Sequence, residues 1–186
     1  MDSGRLLQDV YRDDPWRIFA SCILLNQTTR VQVDRVVRRL FALWPDAYAM
    51  RGASLRAVAL ELEGQGMEWV KAARLIHMSD DYITWYETGT MLPDQIHGVG
   101  QYAIDSYDIF FCKHLNHPVP SADKELLAYV ARQTANRMAA YDDAALELFP
   151  DNAVFETKVY PREMAEHFDS TEAQARAYER LREAAE

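Results

Sequence analysis

Leu92-Pro93-Asp94-Gln95-Ile96-His97-Gly98-Val99-Gly100-Gln101-Tyr102 is the stretch whose reading decides the fold. Pro93 and Asp94 suit the start of a short helical turn, and Gly98 and Gly100 permit a tight reversal. A second helix follows and runs through Phe111 before Pro118 and Pro120 close it off. Glycines one residue apart put no side chain in the way of an approaching group. The amides that begin the second helix point outward together, and the helix dipole adds partial positive charge there. Such a hairpin can grip a phosphate through Gly98, Gly100 and Gln101 without Lys or Arg. Taken alone, Gly-Val-Gly is equally a plain turn between helices.

Outward from the hairpin, the pattern is helical almost everywhere, which places the chain in the all-α class. Trp16 to Leu25 is nearly all apolar, as in a helix buried on most sides. Val33, Val36, Val37, Leu40, Phe41 and Trp44 carry the three–four spacing of an amphipathic helix that Pro45 stops. Ser54 is placed to cap a short helix carrying Leu55, Val58, Ala59 and Leu62. Gly64 and Gly66 mark a turn, and a further helix carries Val70, Ala73, Ile76 and Tyr82 up to Gly89. Leu126, Leu127, Tyr129 and Val130 lie on a helix headed by Ser121 or Asp123. Asp169-Ser170-Thr171-Glu172 resembles one more helix start, with Ala173 to Glu186 following.

The 186 residues, 49% of them hydrophobic, are enough for one compact two-lobed unit with a sizeable core. The expected division is a core over residues 1–140 and a helical extension over 141–186 packed on it. No apolar run is long enough to span a bilayer, and the N-terminus lacks the basic-then-apolar pattern of a leader. An intracellular monomer with no membrane association is therefore expected. The two cysteines, Cys22 and Cys112, sit in apolar surroundings and read as free thiols in a reducing interior. An iron–sulfur cluster needs about four cysteine ligands, so none is expected. Cys112, His114 and His117 lie close together but irregularly, with no fourth ligand, so no metal or other cofactor is assigned.

A net charge of −9 argues against a nucleic-acid partner in composition alone. Its distribution moderates that objection. The acidity is denser in the last third, while Arg30, Arg35, Arg38 and Arg39 gather on one stretch that also reads as a solvated helix face.

The second informative feature is Val119-Pro120-Ser121-Ala122-Asp123, a loop that delivers a carboxylate to a helix start 23 residues beyond Gly100. By itself Asp123 is an N-cap. The order of helix, Gly-Val-Gly hairpin, helix, short loop and Asp-headed helix points instead to a carboxylate placed for chemistry.

With these stretches in view, the chain resembles the helix-hairpin-helix DNA glycosylase superfamily. Within that superfamily it is most like the thymine glycosylase domain of the methyl-CpG-binding mismatch-repair enzymes. Leu7-Gln8, Asp14-Pro15-Trp16-Arg17, Leu25-Asn26-Gln27-Thr28 and Phe41 to Pro45 carry the likeness. So do the hairpin, Asp105-Ser106-Tyr107, Ile109-Phe110 and Val119 to Tyr129. The match runs from about Leu6 to Arg132 and leaves the last fifty or so residues uncovered. The resemblance implies an all-α, two-lobed fold without an iron–sulfur cluster, acting on double-stranded DNA that carries a damaged, mismatched or modified base. Such enzymes flip the base into a pocket between lobes. Asp123 would face the positive charge that develops on the sugar and orient the attacking water.

The resemblance also assigns roles to other residues. Tyr102 stands where strand-cutting relatives carry a nucleophilic Lys, so base release without lyase activity is expected. Tyr102 and Gln8 would hold the flipped base, since a Gln amide matches the donor and acceptor edge of thymine or uracil. Met67 would wedge into the emptied stack, and Gln27 would probe the opposite strand. Glu125 departs from the family, which places Lys there, and the acidic C-terminal segment is also foreign to it. Two other activities therefore stay open on the same fold: a phage-type transferase acting on modified thymine, and a non-catalytic DNA-binding module.

Overall fold

The structure, a computed structural model, describes residues 5–115 and 119–148, with side chains described only up to residue 140 in the last helix. The chain divides into two compact units, Met1–Met138 and Ala139–Glu186. Within the second unit, the described residues are helical backbone. The helix expected from Ala173 and the packing expected for 141–186 lie outside the described residues.

The first unit contains α1 (Leu7–Val10), α2 (Pro15–Leu25), α3 (Arg30–Leu43), α4 (Ala47–Arg51), α5 (Leu55–Glu61), α6 (Glu68–Thr88) and α7 (Gln101–Ser106). A 3-10 turn at Pro93–Gln95 precedes α7, a π-turn at Tyr107–Phe111 extends it, and α8 runs Lys124–Leu148. No strand occurs among the described residues. None of their helices is long and apolar enough to cross a membrane. The all-α expectation is met.

Local chemistry sets most boundaries. The Asp14 side chain accepts from the Arg17 amide and Pro15 occupies the first helical position, so α2 begins there. Thr29 and Gln32 form a reciprocal capping box that starts α3, and Trp44 caps its end just before Pro45. Gly89 adopts a left-handed conformation and closes α6. Ser54 heads α5 as expected, but its side chain makes no capping bond; the sequence signal was right in place and wrong in mechanism.

α2 is the central helix. It packs against α1, α3, α6 and α7, which is why it is apolar around nearly its whole circumference. Most of its apolar side chains join the larger core with Val37, Leu40, Met50, Leu62, Leu75 and Met78. Inside that core the Trp16 indole donates to Ser79 Oγ at 2.9 Å, satisfying a buried N–H. Ile18 turns the other way, into a smaller core with Ile109, Phe110, Leu126 and Tyr129. Tyr102 packs against both cores. The two clusters are the physical content of a two-lobed fold, and the seam between them is where the hairpin and Asp123 meet.

Candidate active site

A cleft of about 770 Å³ opens along this seam. Gln8, Gln27, Gly98, Gly100, Gln101, Tyr102 and Asp123, all singled out from sequence, line it together. Met67 does not line it. The departure noted at Glu125 does, as do Arg5, Arg30 and Arg74, which supply its positive charge.

Asp123 is half-buried at the head of α8. Its Oδ1 accepts from the amides of Glu125 and Leu126, each at 3.0 Å. The capping role is therefore real, and it uses one carboxylate oxygen for both bonds. The cap fixes the rotamer while Asp123 still lines the cleft. Ala122, just before it, has φ 51°, a left-handed conformation that costs a non-glycine residue about 1–3 kcal/mol. A hydrogen bond donated by the Ala122 amide to the Val119 carbonyl (2.9 Å) closes the turn.

Asp105, buried on α7, holds that loop against the hairpin. Its Oδ2 accepts from the Ser121 amide at 2.8 Å and its Oδ1 from Gln101 Nε2 at 2.8 Å. One carboxylate thus ties the first residue of the post-hairpin helix to the loop that presents Asp123. Replacing it with alanine leaves the Ser121 amide without an acceptor, at a cost of about 1–3 kcal/mol. Asp105→Ala is expected to melt earlier by the amount that an unpaired Ser121 amide costs, about 1–3 kcal/mol. Thermal melts of the variant beside the parent chain check this.

Gly98 has φ 78°, and a Cβ there would sit 3.5–3.6 Å from Ile23 and Arg74 side chains, so its backbone conformation is what calls for glycine. Gly100 differs. Its backbone is extended (φ −102°, ψ −178°), and a Cβ would meet nothing within 4 Å. Glycine is not needed there for the protein's own packing; what it preserves is open space over the start of α7. The Ala103 and Ile104 amides bond back to the Gly100 carbonyl, whereas those of Gly100, Gln101 and Tyr102 donate to no described protein group.

The Tyr102 hydroxyl accepts from Gln8 Nε2 at 2.6 Å. Burial, then the neighbouring Cys22, and more weakly the Asp123 and Glu125 carboxylates, push the phenol above its ordinary pKa, so it keeps its proton and can donate it. Burial likewise pushes the Cys22 thiol up to about 11, so Cys22 is a neutral neighbour and not a nucleophile at ordinary pH. Gln8 is 0% exposed, and its Oε1 has no hydrogen-bond partner among the described residues. The glutamine expected to read a base edge thus forms the wall behind Tyr102, with an unused acceptor.

Sequence reasoning did not single out Cys22, Asp105 or Arg74 for the site. Only Asp105 carried a local signal, its spacing of four from Gln101 on one helix face.

No family model matches the chain. The chain is 33% identical over 105 residues to the methyl-CpG-binding domain protein 4-like protein of Arabidopsis thaliana, covering 56% of this chain and 23% of that protein. It is 26% identical over 124 residues to a thymine/uracil-DNA glycosylase of Pyrobaculum aerophilum, covering 64% and 52%. The fold matches the solved structure of a thermostable thymine-DNA glycosylase with a TM-score of 0.51 at 18% identity, over 60% of this chain and 54% of that one. The chain is thus similar in sequence to a thymine/uracil-DNA glycosylase over 64% of its length, and in fold to a thymine-DNA glycosylase over 60%. It spans about half, or less, of the length of these proteins.

Proposed function

We propose that this chain is a monofunctional DNA glycosylase that releases a thymine- or uracil-type base from double-stranded DNA. The observation that carries the reading is the convergence of Gln8, Tyr102 and Asp123 on one cleft beside the hairpin. The Tyr102 phenol holds a proton to donate, and Gln8 Oε1 lacks a donor. Thymine and uracil offer carbonyl oxygens and an N3–H, which complement that pair. Since Gln8 is closed to solvent, the arriving base would have to displace whatever covers Oε1. A buried acceptor left unpaired costs about 1–3 kcal/mol, which the bound base would return.

In this reading Asp123 faces the sugar. As the N-glycosidic bond lengthens, positive charge builds on the sugar ring, and the carboxylate stabilises it and aligns the attacking water. Departure of the base leaves an abasic site. Schiff-base chemistry needs an amine at the same carbon, and no lysine is among the described residues that line the cleft. The duplex would be held at the hairpin amides, with Gln27 and Met67 entering the stack from the side. One observation favours a second reading: Glu125 lines the cleft where the family places Lys. That change suits a transferase acting on a modified thymine.

The test is a panel of duplexes carrying G·T, G·U, 5-hydroxymethyluracil and modified thymines, with mass analysis of the products. Abasic sites are expected, with strands intact until alkali is added and no covalent complex trapped by borohydride. Borohydride trapping would overturn the monofunctional assignment. A base that gains mass while staying attached would favour the transferase, and unchanged DNA throughout would leave a binding module.

A further inference from the structure

Lys71 is 1% exposed, yet among the described residues no carboxylate forms a salt bridge with it. Its ammonium donates to the Leu24 carbonyl at 3.0 Å, to the Gln65 carbonyl at 3.3 Å and to Thr28 Oγ1. These acceptors belong to three segments: the last turn of α2, the turn leading into α3 and the turn leading into α6. Thr28 Oγ1 reaches the Gln65 carbonyl as well, at 2.9 Å, so the two turns are joined twice. Gln65 Nε2 adds a bond to the Gln32 carbonyl at 2.8 Å.

Both joined turns hold a non-glycine residue in the left-handed region, Gln27 at φ 54° and Met67 at φ 56°. Both side chains are exposed, Met67 at 38%. Two strained, outward-facing residues on neighbouring turns persist only if their surroundings over-determine them. An apolar side chain could fill the volume of Lys71 without the cost of burying an ammonium. What the ammonium adds is three directed bonds to three segments. Burial disfavours its charge, and Glu68 nearby opposes that effect.

We propose that Lys71 is a positioning residue that holds the Gln27 and Met67 turns in fixed relation, so that both side chains enter the duplex together when a base is extruded. The proposal rests on the glycosylase reading above. Lys71 touches neither base nor sugar; it sets the spacing of the two residues that do the prying. A shift of either turn by about 1 Å is enough to cost on the order of a hundredfold in a step that depends on alignment.

The test uses Lys71→Met and Thr28→Val in the full chain, on two duplexes. One holds the target base in a mismatch, and the other holds it opposite an abasic analogue, where no pairing holds the target in the duplex. 2-Aminopurine beside the target reports unstacking. Both variants should slow 2-aminopurine brightening and base release on the mismatch by roughly tenfold or more. On the duplex with the missing partner they should release base within about threefold of the parent, because the chemistry at Asp123 is untouched. Equal losses on both duplexes would make Lys71 a general stability residue, and equal rates to the parent on the mismatch would remove it from base extrusion; either overturns the proposal. If Lys71→Met fails to fold, Thr28→Val alone decides, since it severs the link between the turns without exposing the ammonium. A parent chain that releases no base from any duplex refutes the glycosylase reading and this proposal with it, a result distinct from variants that match an active parent.

Discussion

Asp123→Asn is expected to release base a hundred- to a thousandfold more slowly than the parent chain while remaining folded. Losing one well-placed electrostatic stabiliser from a reacting centre costs about 2.7–4 kcal/mol, which is that factor in rate. Asparagine keeps the side-chain oxygen that accepts from the Glu125 and Leu126 amides, so the start of α8 stays capped. The stability lost should be the charge–dipole part alone, roughly 0.3–1 kcal/mol at a helix N-terminus. Duplex binding should hold or tighten, because a negative charge leaves a cleft that Glu125 already makes partly acidic. Were Asp123 only a cap, the substitution would be close to neutral for activity. Single-turnover base release measured beside the melting temperature separates the two roles, and near-parental release from a folded variant removes Asp123 from the mechanism.

The geometry makes this test sharper than the sequence could. A carboxylate at a helix start reads equally as cap or catalyst, and here it is both. Oδ1 takes both helix amides, and the strained turn at Ala122 fixes the direction from which Asp123 meets the cleft. Alanine at 123 would lose cap and charge together and could not distinguish them.

What was legible in the sequence follows physical lines. The three–four spacing from Val33 to Trp44 located α3, but the helix begins at Arg30 because the Thr29–Gln32 capping box, not an apolar residue, starts it. α4 was invisible, since five residues are too few to show a period. The hairpin and the Asp-headed helix were legible because glycine and a pre-helical loop leave local marks. Left-handed conformations at Gln27, Met67 and Ala122 leave none, as the residues there are not glycine. Lys71 was unreadable for another reason. Its partners Leu24, Thr28 and Gln65 are brought to it by tertiary packing, and lysine is ordinarily a surface residue. Asp105 sat inside a quoted motif, yet its bond to Ser121 spans 16 residues and appears only on folding.

Gly100→Asp is expected to weaken binding to every duplex alike while leaving the fold intact or slightly more stable. The two halves of that expectation pull in opposite directions. Gly100 has an ordinary extended backbone, heads α7 and has open space where a Cβ would go. Aspartate is a favoured N-cap residue and can accept from the unused amides behind it. For the free protein the substitution is therefore benign or helpful. For a phosphate held by the same amides it is doubly adverse, since it consumes the donors and places a negative charge against the ligand. Two unit charges about 4 Å apart repel by about 1–4 kcal/mol between bulk water and a protein surface. That corresponds to between roughly fivefold and several hundredfold in affinity. The loss should be the same for matched and mismatched duplexes, because a phosphate contact carries no sequence information. Titrations at two salt concentrations, run beside thermal melts, read both halves at once. Raised or unchanged stability with weakened binding places a phosphate at the hairpin, whereas raised stability with unchanged binding would mean that Gly98-Val99-Gly100 is a turn and nothing more.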